Sequence, residues 1–122
     1  MTSRIESRLG GAILQETFTS TEGNEVLRSF TYDRFRKRYR ITEVNERQTY
    51  MDVLEGDFDD QKRFVVSDVT TGTTAEGFGM TFHGRLTILE ITPDGFRMEE
   101  DYSTDGGKQW VTSLKATYTR RK

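Results

Sequence analysis

A chain of 122 residues with 18 basic and 20 acidic side chains carries a formal charge of −2, which gives it the length of one domain, 1–122, and no global field for nucleic acid or an anionic membrane. It has no cysteine and one histidine, His83, so disulfide frameworks, thiolate metal sites and multi-histidine centres within one chain are excluded, and neither metal nor cofactor is expected. Met1 to Leu9 lacks the apolar run of a signal peptide and no later segment is long enough to span a bilayer, so a cytoplasmic protein without nucleic-acid or membrane partners is expected.

In chain order, alternation dominates and helical periodicity is absent. Thr2 to Arg8 reads as a short strand ending at the turn pair Gly10-Gly11. Ala12 to Ser20 and Glu25 to Tyr32 are strands joined by the loop Thr21-Glu22-Gly23-Asn24; the second sets Val26, Arg28, Phe30 and Tyr32 against Leu27, Ser29 and Thr31. Asp33 to Lys37 connects to a strand over Arg38 to Val44, and Gln48 to Glu55 follows. Gly56-Asp57-Phe58-Asp59-Asp60 reads as an acidic turn before Gln61 to Asp68. Thr70 to Gly79 is a Thr/Gly-rich loop at a barrel mouth, and Met80 to Ile91 is a long strand closed by Pro93-Asp94-Gly95. Phe96 to Ser103 puts Phe96, Met98, Glu100 and Tyr102 on one face. After Thr104-Asp105-Gly106-Gly107, the last strand, Lys108 to Thr119, aligns Trp110, Thr112, Leu114, Ala116 and Tyr118.

About eight or nine strands at hairpin spacing predict an all-β antiparallel up-and-down barrel or strongly curled sheet. Apolar residues make up only 33% of the chain, so the eight Phe, five Tyr and one Trp are expected to fill a narrow interior.

Several of these segments together resemble one family. They are Tyr32-Asp33 before a basic turn, Gly77-Phe78-Gly79-Met80-Thr81-Phe82-His83-Gly84, Ser103-Thr104-Asp105-Gly106-Gly107-Lys108-Gln109-Trp110, and the ending Ala116-Thr117-Tyr118-Thr119-Arg120-Arg121. From about Gly10 to Lys122 the chain is similar to the bacterial lipocalin-like proteins classed as domain of unknown function 1579 (DUF1579). The resemblance implies a calycin-type β-barrel and no particular activity. Members of that family usually open with a strand bearing Gly-x-Trp, which this chain lacks; the resulting seam would be filled by a second subunit, a ligand or an alternative closure, and unpaired edges make a homodimer through strand edges the expected partner.

Residues with chemical potential are few. Histidine is the side chain whose unperturbed pKa lies near neutrality, so His83 would suit acid–base work or axial haem ligation, while a lone strand histidine is more often an ordinary surface or hydrogen-bonded residue. Glu100 shares a face with Phe96, Met98 and Tyr102, so burial would raise its pKa, and Arg28 and Arg97 are further charged members of alternating strands. Trp110, Tyr102, Phe82, Phe78, Met80 and Met98 would line an apolar cavity or make up the packed core. Arg34, Arg36, Arg38 and Arg40, if extended, lie on one face beside Lys37 and opposite Phe35, Tyr39 and Ile41; such a cluster binds anions or forms a solvated outer face. The acidic turn lacks EF-hand spacing, and Gly72 to Gly79 lacks the Lys-Ser/Thr of a phosphate loop.

The leading expectation is a non-enzymatic module binding a small hydrophobic or amphipathic ligand through Trp110, Tyr102, Glu100, Met98, Phe82, His83 and Arg28. The alternatives are an enzyme of cyclase or isomerase type using Glu100, Tyr102 or His83, and a ligand-free dimeric interaction protein.

Overall fold

A computed structural model describes residues 2–121. The chain is all-β and antiparallel, as the alternation predicts, and it divides into two compact units, Met1–Val53 and Leu54–Lys122. The first unit is a meander of β1 (Ser3–Arg8), β2 (Ile13–Thr19), β3 (Glu25–Asp33) and β4 (Arg38–Asn45), each strand paired with its predecessor. β5 (Asp52–Phe58) begins at the division. In the second unit β5 pairs with β6 (Phe64–Ser67), β6 with β8 (Met80–Thr92), β8 with β9 (Gly95–Ser103), and β9 with β10 (Val111–Thr119). A three-residue strand, β7 (Ala75–Gly77), lies beside the start of β8. No helix among the described residues is long and apolar enough to cross a membrane.

One device recurs at the turns. A side chain at the end of a strand accepts backbone N–H groups of the turn that follows, the Asx geometry that suits Asp and Asn to these positions. Asp33 Oδ1 accepts from Phe35 and Arg36, both at 2.9 Å, and Asn45 Oδ1 accepts from Gln48 at 2.8 Å. Asp59 Oδ1 accepts from Gln61 and Arg63, and Asp105 Oδ1 from Lys108, Gln109 and the Ser103 hydroxyl. These donors favour the ionised carboxylate, so all three aspartates are held below their ordinary value. The Arg36 N–H and then its guanidinium act on Asp33, the Arg63 N–H and then its guanidinium on Asp59, and the Gln109 N–H and then the Ser103 hydroxyl on Asp105.

Several boundaries differ from the sequence expectation, each for a local reason. Gly56, Asp57 and Phe58 belong to β5 and not to a turn; the turn is the Asp59-capped segment 59–63. Residues 34–37 form a turn, so only Arg38 and Arg40 of the basic cluster share a strand face, with Tyr39 and Ile41 opposite. The Thr/Gly-rich stretch contains β7 and a two-residue turn, Phe78-Gly79, in which both residues are left-handed, with φ of 53° and 72°. β10 starts after Trp110, and a bulge at Ser113 puts Thr112 opposite Asp101 while Leu114 faces Glu100, so Thr112 and Leu114 point to opposite faces.

The buried hydrophobic side chains are Val26 and Ile41 in the first unit and Leu54, Phe64, Val66, Leu86 and Met98 in the second. Phe64 is the one aromatic among them. The expected aromatic core is therefore not formed: Phe78 is 96% exposed, and Tyr102, Met80 and Phe58 are exposed as well. Buried polar groups stand where more apolar ones are lacking, namely Glu16, Arg28, Asp68, Thr87, Asp101 and Ser103.

Two tests follow from the turns and from the β5–β6 pair. The three capped aspartates stabilise the fold above the unfolded carboxylate value, and that contribution is lost as pH falls through their lowered folded values. The thermal midpoint is therefore expected to drop on acidification below pH of about 4, and the triple variant D33N/D59N/D105N to show a flatter pH profile. A Cβ at Gly56 would land on the Val65 carbonyl oxygen, so Gly56→Ala is expected to destabilise by roughly 2–4 kcal/mol in denaturant titration.

Candidate functional site

In the first unit the registers Arg4↔Thr17, Thr17↔Leu27 and Leu27↔Val44 set these four residues in one row across β1 to β4. Along this row runs an open groove of about 620 Å³. Leu27 and Val44 give it an apolar floor, and Leu27 remains 40% exposed. Hydroxyls of Thr2, Thr17, Thr19 and Thr49 edge the groove, with Arg4 on β1 and Glu25 and Glu46 beside β4. The far wall is held in place by two hydrogen bonds: Glu46 N–H donates to the Glu25 carbonyl at 3.0 Å, and Glu25 N–H donates to the Glu46 carboxylate Oε1 at 2.7 Å. An apolar floor with a rim of hydroxyls and separated charges suits a small amphipathic molecule, and the volume falls in the range of roughly 300–1,000 Å³ usual for small-ligand sites.

The reverse face of the same strands carries a buried charge row. Register places Glu16 on β2, Arg28 on β3 and Glu43 on β4 directly across from one another. Arg28 Nη1 lies 3.2 Å from Glu16 Oε1 and its Nε 2.8 Å from Glu43 Oε2, while the Ser3 hydroxyl donates to Glu16 Oε2 at 2.6 Å. The guanidinium also sits 4.8 Å over the Phe18 ring. Arg28 is 1% exposed and Glu16 3%, so the pair is fully desolvated. Arg28, a predicted ligand contact, is thus committed to its own strands. Phe18, paired with Val26, turns its ring to this reverse face and covers the arginine.

The other predicted site residues lie in the second unit, on two faces. Met98, Glu100 and Tyr102 share one face of β9, opposite Ile88, Leu86 and Gly84 of β8, and Phe82 has the same parity on β8. Met98 is buried, Glu100 and Phe82 are half-buried, and Tyr102 is exposed. His83 and Trp110 lie on the opposite face. His83 is paired with Ser103, and its Nδ1 stands 3.4 Å from the buried Asp68 Oδ1, which accepts the Gly84 N–H at 2.8 Å. Trp110 stacks 4.5 Å from the Arg85 guanidinium. Arg85 Nε and Nη2 reach Asp101 Oδ2 at 3.0 and 2.9 Å, and the Thr112 hydroxyl donates to Asp101 Oδ1 at 2.7 Å. His83 is therefore set apart from Glu100 and Tyr102, and Trp110 from Tyr102, by the alternation of β8 and β9. Among the described residues no group of three or more His, Cys, Asp or Glu side chains is placed to hold a metal ion.

The groove residues Arg4, Thr17, Leu27 and Val44 are not singled out by sequence reasoning. The available signal is that Leu27 is the only large apolar side chain on its face of β3, among Glu25, Ser29 and Thr31. The Arg28 row was also recoverable: once Asp33 closes onto Arg38, Arg28 must stand opposite Glu43. Comparison with known protein families, curated proteins and solved structures finds no match.

Removing one member of a buried ion pair leaves the other charged and desolvated, so Arg28→Ala is expected to cost about 3–5 kcal/mol of folding free energy in urea. Replacing Arg28 by Met and Glu16 by Leu together is expected to recover most of that loss.

Proposed function

We propose that the protein is a non-enzymatic, lipocalin-like binding module for a small apolar or amphipathic ligand, and that the ligand occupies the groove of the first unit. The observation that carries this reading is the groove itself, with its exposed Leu27 floor and its threonine and charged rim. An exposed apolar floor on an otherwise polar strand face is a cost to the free protein, and a ligand that covers it removes that cost. The resemblance to the DUF1579 lipocalin-like proteins points the same way, by analogy of fold. Separation of His83 from Glu100 and Tyr102 makes the cyclase or isomerase alternative the weaker one.

The charges at the two ends of the groove assign an orientation. An anionic head group would lie toward Arg4 and a hydroxyl or cationic group toward Glu25 and Glu46, with the apolar part over Leu27 and Val44.

The test uses native mass spectrometry of protein purified from its own host, followed by titration with the amphipathic dye 8-anilinonaphthalene-1-sulfonate. A retained small molecule at fixed stoichiometry is expected. Leu27→Ser is expected to weaken dye binding roughly tenfold with little change in the thermal midpoint, since Leu27 is partly exposed. Equal dye affinity of Leu27→Ser and the unaltered chain would remove the groove as the site.

A further inference from the structure

The end of the first unit away from the groove carries two hairpin tips side by side. β1 turns into β2 through Leu9–Gly11, and β3 into β4 through residues 34–37. The register sets both tips at the same end: Arg8 faces Ile13, the Thr31 hydroxyl donates to the Ala12 carbonyl at 3.1 Å, and Asp33 faces Arg38. Two strand spacings separate the hairpins, which is roughly 10 Å.

Both tips present an apolar side chain to solvent. Leu9 is 75% exposed and Phe35 is 98% exposed. The turn that carries Phe35 is tightly tied. Asp33 accepts the N–H groups of Phe35 and Arg36 through its side chain and that of Lys37 through its carbonyl, and Lys37 closes the turn with φ of 56°. None of this geometry needs an aromatic ring at position 35. The ring is surrounded by cations: Arg34, Arg36 and Lys37 share its turn and Arg38 begins β4. Arg36 pairs with Asp33 at 2.8 Å, whereas Arg34 and Lys37 form no ion pair among the described residues.

An apolar tip within a collar of positive charge is complementary to a surface that is negative outside and apolar just beneath. That is the profile of an anionic lipid leaflet, where aromatic rings settle at headgroup depth and basic residues meet the phosphates. Single-stranded nucleic acid shares the negative charge, but it would engage rings by stacking, and Leu9 at the neighbouring tip has no π-face to offer. The expectation of no membrane partner rests on the net charge of the whole chain, which averages this collar away.

We propose that this end of the first unit docks on anionic lipid surfaces, with Phe35 and Leu9 entering the headgroup region and Arg34, Arg36 and Lys37 meeting lipid phosphates. The proposal stands apart from the ligand groove, which lies at the opposite ends of the same strands, so either can fail without the other.

The test is co-sedimentation of the full chain with vesicles of phosphatidylcholine alone and of phosphatidylcholine with phosphatidylserine. Retention is expected on the second only, declining with added salt. Phe35→Ser is expected to weaken partitioning about tenfold, and Arg34→Ser with Lys37→Ser roughly thirtyfold. Because all three side chains are exposed, the thermal midpoints of these variants should match that of the unaltered chain. Absence of retention, retention indifferent to phosphatidylserine, or equal retention of Phe35→Ser would overturn the proposal. Capture by a single-stranded oligonucleotide in place of the vesicles would overturn it in favour of nucleic acid.

Discussion

The shortage of apolar side chains is the constraint from which the rest of this structure follows. With 33% apolar residues, many of them exposed, the chain completes its interior with charges and hydroxyls that must all find partners. In the first unit the partner set is Glu16, Arg28 and Glu43, with Ser3 and Phe18 closing around them. In the second it is Asp101 with Arg85 and Thr112, and Asp68 with the Gly84 amide. Such pairs add little stability over apolar packing, but they tolerate no slippage, because a shift of one residue would leave a buried charge alone. The polar interior thus acts chiefly as a register lock.

That lock has a consequence for the site. The strand face turned away from Arg28 need not contribute a core, so Leu27 and Val44 can remain as the floor of an open groove. Phe18 backs the groove from the other side, its ring packed over the guanidinium. A ligand over the groove would therefore be read against a rigid backing, which is the condition for binding without a large ordering cost.

The turns show the same economy. Asp33, Asn45, Asp59 and Asp105 each tie a turn with side-chain acceptors, so the tips hold their shape without apolar anchors. Tips stabilised in this way are free to present whatever side chain function requires. Phe35, in the turn that Asp33 ties, is the clearest instance.

Strand alternation and turn composition alone determined the all-β antiparallel class, the order of the strands and most hairpins, because period-two patterning and Gly, Asn or Asp at turns are local signals. They also placed Met98, Glu100 and Tyr102 on one face of β9. Boundaries went astray where a local signal has two uses: Gly56 and Asp57 look like turn residues but lie in a strand, since glycine also permits the close approach of β6. The basic run 34–40 looked like one extended face until Asp33 bent its first half into a turn. Burial was decided only by the tertiary structure. Whether Arg28 meets a ligand or Glu16, whether Trp110 lines a cavity or stacks on Arg85, and which faces of β1 to β4 make a groove all depend on cross-strand neighbours many residues away. Those neighbours are set by register, and a sequence read one strand at a time does not contain it.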